Sequence, residues 1–174
     1  MKKAAFIDRD GTLIAEVNYL SRVDDLRVFE YTKPAIDLLR SNGFAIFVVT
    51  NQSGIGRELY TVDDMNSIHT AIQEELQNAI DGFYFCPHLP DAGCECRKPN
   101  LGMIRAACQD HEISLDDSWM IGDKRLDIET GFNAGMSTGM VLTGYGSKHV
   151  GTLSRRPTYV GETLMDVVRL IVGG

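Results

Sequence analysis

The chain has 174 residues, 44% hydrophobic and 24% charged, the proportions of one soluble domain able to bury a core without staples. Its 17 basic and 24 acidic residues leave a net charge of −7, which argues against a nucleic-acid surface and an anionic-membrane binder; an anionic substrate would need local cations or a metal. The apolar run in "MKKAAFID" stops at Asp8, far short of a signal peptide or membrane segment, and a cytoplasmic, monomeric protein is expected.

"AAFID" (4–8) has the pattern of a buried strand, and "KPAIDLLRSNG" that of a helix with Pro34 in its first turn and Gly43 as its stop. "FAIFVVTN" (44–51) is a second strand. Thr61 and Asp64 form a capping pattern, and Met65, Ile68, Ile72, Leu76 and Ile80 recur at spacings of three and four, predicting a long amphipathic helix with His69 on its polar side. "GFYFC" (82–86) is a third strand, followed after a cysteine-rich stretch by a helix around "MIRAACQDH". "SWMIGD" (118–123), a helix around "RLDIETGFNAG", "TGMVLT" (138–143), then "TYV" and "ETLMDVVRLIV" complete the alternation. Alternating strands and helices predict an α/β fold with a doubly wound, Rossmann-like parallel sheet whose ligands bind beyond the carboxyl ends of the strands.

At those ends stand Asp8 and Asp10, then Thr50 and Asn51, then Cys86, then Asp123 and Asp127. In "DRDGT" the two carboxylates lie two residues apart, on one side of an extended backbone, with Arg9 pointing away and Gly11 allowing a turn. Two close anions repel unless a cation sits between them, and a hard ion such as Mg²⁺ suits oxygen ligands. Asp123 and Asp127 offer two more carboxylates for the same ion or its waters. A solvated turn or helix cap is the bland alternative for a lone DxD, and the second acidic cluster weighs against it.

"CPHLPDAGCECRKP" (86–99) places Cys86, His88, Cys94 and Cys96 as CxH then CxC. Three thiolates and an imidazole are a tetrahedral zinc set, and four protein ligands leave no open position, so the zinc is structural. A redox pair, a disulfide or incidental buried cysteines are the alternatives, but a thioredoxin-like site wants CxxC at a helix start, and Pro87, Pro90 and Gly93 oppose a helix here. Cys108 fits no such set and is expected to be packed or semi-exposed.

"FIDRDGT", "VVTNQSG", "CRKP" and "MIGDKRLD", spread in order over residues 6 to 127, resemble the four signature motifs of the haloacid dehalogenase (HAD) superfamily of phosphohydrolases. The resemblance implies a two-step phosphoryl transfer in which Asp8 attacks phosphorus and Asp10 acts as acid and then base. Thr50 and Lys98 would bind phosphoryl oxygens, and Mg²⁺ would rest on Asp8, the backbone carbonyl of Asp10, and Asp123, with Asp127 behind it. No helical insertion of domain size interrupts the chain, so a single HAD-like domain over 1–174 is expected, without a cap domain and with a small zinc-binding loop at 86–98.

Within the superfamily, a short loop of this ligand pattern followed by "RKP" is similar to the D-glycero-D-manno-heptose 1,7-bisphosphate 7-phosphatases and to the histidinol-phosphate phosphatases. "TNQSGIGR", "RKPNLGM" and "VNYL" favour the heptose group, whose step serves activated-heptose synthesis for the bacterial surface, including lipopolysaccharide. That resemblance implies a small phosphorylated sugar as substrate, contacted by Glu16, Val17, Asn18, Tyr19, Asn51, Gln52, Ser53, Arg57 and Arg97, with Arg97 placed to recognise a second phosphate. Glu58 and Asn18 stand where those relatives often carry glycine. Histidinol-phosphate hydrolysis stays open as an alternative, as does a zinc-stabilised binding module with a degenerate phosphatase site.

No segment matches a P-loop, a GxGxxG fingerprint or a GxSxG elbow, which removes the usual nucleotide and serine-hydrolase classes. His69, His111 and His149 are expected to be surface or loop histidines, and "GYGSKHVG" (144–151) a glycine-rich connector that could border the site.

Overall fold

The computed structural model describes residues Met1–Gly174. Its short apolar runs form β1 (Ala4–Ile7), β2 (Ala45–Asn51), β3 (Gly82–Cys86), β4 (Trp119–Gly122), β5 (Ser137–Val141) and β6 (Tyr159–Gly161). All pair in parallel in the order β3-β2-β1-β4-β5-β6. The helices are α1 (Thr32–Ser41), α2 (Ser53–Gly56), α3 (Val62–Glu75), α4 (Gly102–Asp110), α5 (Arg125–Asn133), α6 (Gly146–His149) and α7 (Leu164–Gly173).

Successive residues of β1 feed opposite faces, as the two-residue strand period requires. Ala5 and Ile7 join a core with Ile36 and Leu39 of α1, Ile68 and Ile72 of α3, and Val167 and Val168 of α7. Ala4 and Phe6 join a second core with Phe47, Met120, and Met103, Ile104 and Ala107 of α4. α5 lies close against the sheet because Gly131 has no side chain; a Cβ there would meet Thr138 Cγ2 at 2.3 Å. The fold is therefore α/β with both sheet faces covered, and no helix is long and apolar enough to cross a membrane.

Several elements differ from the sequence expectation for identifiable reasons. α3 ends at Glu75 rather than running to Ile80, because Gln77 and Asn78 take φ of +55° and +57°. The Gln73 amide then braces the turn, donating to the Ile80 carbonyl at 2.7 Å and accepting its N–H at 3.1 Å. Leu76 and Ile80 still reach the core from that turn. Residues 146–149 are helical, not an open connector, and a 3-10 turn at Val150–Thr152 follows. His69 is not on the solvent side: it is buried and stacked on Phe83 at 4.5 Å between ring centroids. The apolar stripe of α3 is wide enough to include the position after Ile68. His111 is exposed, and His149 accepts the Arg125 N–H at 3.1 Å. Glu58 adopts φ +59°, the left-handed conformation glycine would take without steric cost; Asn18 does not, and Tyr19 beside it does, at +54°.

Between β1 and β2 the chain holds a 3-10 turn (Val23–Asp25) and α1, and between β3 and β4 the cysteine loop and α4. Neither connection carries a further layer of structure over the strand ends. Leu39, fully buried beneath α1, offers a measure of the larger core. Leu39→Ala is expected to lower unfolding free energy by about 2–5 kcal/mol in urea denaturation, the range for a leucine cavity that relaxes only in part.

Candidate active site

The chain leaves β1 toward β2 on one side and later returns to place β4 on the other, so the carboxyl end of β1 is the switch point of the sheet. Asp8 is the first residue beyond β1 and Asp123 the first beyond β4; both are buried, as is Asp127 in the first turn of α5. One carboxylate oxygen from each of the three lies within 4.8 Å of the others. Lys98 reaches into this cluster from the end of the cysteine loop, its Nζ 2.6 Å from both Asp8 Oδ1 and Asp127 Oδ1, and donates to the Val49 carbonyl at 2.8 Å.

The charges decide the protonation states. Burial alone would raise the Asp8 pKa, but Lys98 and Lys124 overcome it and hold the carboxyl below its usual value. Burial, reinforced by Asp8 and Asp127, pushes Asp123 up to about 8. Burial also raises Asp127, partly offset by Lys98. Burial works against the charge on Lys98, yet Asp127 and Asp8 raise its pKa above the ordinary lysine value. Two buried oxygens, Asp8 Oδ2 and Asp123 Oδ1, have no hydrogen-bond donor. Orphaned carboxylate oxygens are costly unless something positive meets them, so this donor set fits a hard divalent cation.

Two glycines let the backbone close around this cluster. Gly11 (φ +84°) and Gly144 (φ +55°) meet back to back, and a Cβ on either would lie within 2.4 Å of Asp123 Oδ2. The Tyr145 N–H then donates to that oxygen at 2.8 Å.

Asn51 fixes Lys98 without touching its ammonium. Its Oδ1 accepts the Lys98 N–H at 3.0 Å and its Nδ2 donates to the Lys98 carbonyl at 3.3 Å. Gln52 Nε2 donates to Thr50 Oγ1 at 2.7 Å and to Asp10 Oδ2 at 2.9 Å, while its Oε1 accepts the Tyr60 hydroxyl at 2.5 Å. Arg9, expected to point away, folds back onto both oxygens of Asp10 at 3.0 and 3.1 Å. The strand ends at Ile7, so the alternation assumed for "DRD" no longer applies at residue 9.

Above the cluster opens a cavity of about 270 Å³, lined by Asp10, Glu16, Val17, Asn18, Tyr19, Asn51, Gln52, Ser53 and Arg97 among others. Arg57 is not among them; it stands exposed at the end of α2. Lys124 also lines the cavity, paired with Glu16 at 3.1 Å and lying 5.0 Å over the Tyr145 ring. Burial leaves the Glu16 carboxyl above its usual range.

The cysteine stretch closes on itself. Cys86 Sγ lies 2.9 Å from Cys96 Sγ and 3.5 Å from Cys94 Sγ, and His88 Nδ1 lies 3.1 Å from Cys96 Sγ. All four donor atoms fall within 4.8 Å of one another, and no disulfide links them. Between Cys86 and Lys98 no residue is buried, so apolar packing does not hold this loop.

A HAD-hydrolase-like family model matches residues 95–167. A D-glycero-beta-D-manno-heptose-1,7-bisphosphate 7-phosphatase of Helicobacter pylori is 40% identical over 147 residues, covering 80% of this chain and 83% of its own. The chain belongs to the family of heptose-bisphosphate phosphatases. A member from Thermosynechococcus vestitus, a D-glycero-D-manno-heptose-1,7-bisphosphate 7-phosphatase, is 36% identical across 98% of this chain and 95% of its own. The crystal structure of D,D-heptose 1,7-bisphosphate phosphatase from B. bronchiseptica, complexed with magnesium and phosphate, matches with a TM-score of 0.90 at 29% identity over 98% of both chains. The family's name thus describes phosphomonoester hydrolysis, and this chain is such a hydrolase.

Sequence reasoning passed over Tyr60, Lys124 and Tyr145, which the heptose-bisphosphatase fold brings to the cavity. Lys124 had a signal in its position directly after Asp123, at the entrance to α5. Tyr145 lies in the glycine-rich 144–151 stretch read as a connector that could border the site, though not singled out there, and Tyr60, delivered by a loop, had no signal.

The raised pKa of Asp123 has a consequence for stability in cation-free protein. Unfolded, the group releases its proton near pH 4; folded, it holds it to about 8, so the folded state binds the extra proton between these values. Its contribution therefore falls as pH rises through that window. Burial and Arg9 lower His69 to about 3, which works in the opposite sense below its ordinary value of 6.5. In EDTA, the melting temperature is expected to fall between about pH 6.5 and 8, and Asp123→Asn to flatten that slope. Equal slopes in the two proteins would rule out Asp123 as the cause.

Proposed function

We propose that the chain removes the 7-phosphate from D-glycero-D-manno-heptose 1,7-bisphosphate, leaving heptose 1-phosphate, as a Mg²⁺-dependent enzyme with a structural Zn²⁺. The observation that carries this reading is the buried Asp8–Lys98–Asp127 arrangement beneath a polar cavity, in a chain 40% identical to a phosphatase so named. Residues 1–174 would act as one domain and as a monomer. An acidic protein that acts on a soluble sugar phosphate fits the cytoplasm.

Asp8, kept ionised by the two lysines, is the nucleophile: a bond forms from its oxygen to phosphorus as the bond from phosphorus to the sugar oxygen breaks. Asp10 donates a proton to that leaving oxygen, then takes one from the water that attacks the aspartyl-phosphate, returning Asp8 and releasing inorganic phosphate. Thr50 and Lys98 hold the phosphoryl oxygens, and Arg97 on the cavity wall offers a fork for the distal phosphate. Asp8, the Asp10 carbonyl and Asp123, with Asp127 behind, would hold Mg²⁺, which supplies charge neutralisation to the phosphoryl group and the crowded carboxylates. Cys86, His88, Cys94 and Cys96 would hold Zn²⁺, a soft four-donor set whose ligand atoms all lie within 4.8 Å of one another.

The decisive test is steady-state kinetics on heptose 1,7-bisphosphate and on histidinol phosphate, with and without Mg²⁺. Higher kcat/KM is expected on the bisphosphate, lost without the ion; a preference for histidinol phosphate would overturn the substrate assignment, and inactivity in every metal would favour a binding module. Asp8→Asn is expected to fold normally and to be inactive. Cys94→Ser is expected to lose bound zinc by metal analysis and to melt at lower temperature. Full zinc content with unchanged melting would remove Cys94 from the ligand set.

A further inference from the structure

Arg9 is 1% exposed, the largest fully buried side chain in the molecule. A buried guanidinium must spend its donors on partners. Two of its nitrogens, Nε and Nη2, grip the Asp10 carboxylate from one side, and its third, Nη1, lies 3.2 Å from His69 Nε2. Arginine has donors only and stays protonated, so His69 Nε2 is the acceptor in this contact and the ring proton resides on Nδ1. The ring is 7% exposed and stacked on Phe83 at 20°. Burial and the neighbouring guanidinium keep it uncharged, with a pKa of about 3.

The other side of Asp10 is held differently. Gln52 donates to Asp10 Oδ2, and the Tyr60 hydroxyl on its Oε1 prevents the amide from turning over. Asp10 thus has a short brace from Gln52, just beyond β2, and a longer one through Arg9 to α3, sixty residues away. The longer brace depends on a single acceptor. Without it, Nη1 of a side chain that is 1% exposed keeps a donor with no partner, which favours rotation away from the carboxylate.

We propose that His69 is a positioning residue for the reaction: by accepting the outer N–H of Arg9, it keeps the guanidinium flat against both oxygens of Asp10 and so fixes the acid–base carboxylate toward the cavity. This inference rests on the assignment of Asp10 as acid and base. The histidine touches neither substrate nor metal ligands, and acts through Arg9 alone.

The test compares His69→Phe, which keeps the stacking on Phe83 but lacks an acceptor, with His69→Gln, which restores one. His69→Phe is expected to lower kcat on the sugar bisphosphate about tenfold, the scale of outer support for a reacting group, with KM changed less than about twofold; His69→Gln should recover most of the loss. In an Asp10→Asn background, His69→Phe is expected to have no further effect, since a double-mutant cycle exposes coupling between residues that act as one unit. Circular dichroism melts establish that each variant is folded. A folded His69→Phe with wild-type kcat, or an equal loss with and without Asp10, would overturn the proposal. If His69→Phe does not fold, ¹⁵N NMR of the wild-type imidazole decides: Nδ1–H with unprotonated Nε2 supports the brace, and an Nε2–H tautomer refutes it. Unchanged turnover in Asp10→Asn alone would instead refute the acid–base assignment, a separate failure.

Discussion

The Lys98 ammonium between Asp8 and Asp127 is the interaction around which the site is arranged. Three carboxylates gathered out of water repel one another, and without a cation among them the group would neutralise by taking protons. Lys98 settles part of that conflict by favouring charge on Asp8, and leaves Asp123 and Asp127 with raised pKa values. With three carboxylates and one ammonium, the arrangement is short of positive charge. The two oxygens that lack a donor, on Asp8 and Asp123, show where the shortfall lies. The net charge of −7 is not evenly spread: Lys124 and Arg97 line the cavity, and Lys98 is buried beside Asp8 at the same end of the sheet.

The fold supplies the geometry. Parallel strands β1 and β4 deliver Asp8 and Asp123 side by side because they are neighbours at the switch point. Residues at the ends of adjacent strands need no loop to bring them together, which is why two short carboxylate motifs more than a hundred residues apart converge. Gly11 and Gly144 permit the closest approach of backbone to that pair.

Much of this was legible in the sequence. The apolar runs, the Thr61–Asp64 cap and the acidic residues after strands one and four are local signals, and the sheet realises them. What failed were inferences that extended a local rule past the element that supports it. The alternation rule sent Arg9 outward, but residue 9 already belongs to the turn after β1, where the Leu13 and Ile14 N–H groups bond back to its carbonyl. The polarity rule put His69 in water, although Met65, Ile68 and Ile72 form a stripe broad enough to enclose it. Asn51 sits on the cavity as expected, yet both ends of its amide serve the Lys98 backbone, a use no spacing rule distinguishes from substrate contact.

The cysteine loop has no buried residue between Cys86 and Lys98, and it carries Lys98. Two constraints bear on that lysine: Asn51 holds its peptide from β2, and Cys96, two residues before it, belongs to the four-donor cluster. Asn51 fixes the Lys98 peptide, while on the N-terminal side the Glu95 carbonyl accepts the Gly102 N–H at 2.9 Å and the Cys94 carbonyl accepts Asn100 Nδ2 at 2.8 Å, contacts that leave the approach of the side chain some freedom to swing. An ion held by that cluster would make Cys96 a second fixed point and remove that freedom, since a segment so short has few backbone torsions left to vary. The entropy of placing a buried lysine among carboxylates would thereby be met largely before substrate arrives, in the loop and not at the carboxylate cluster.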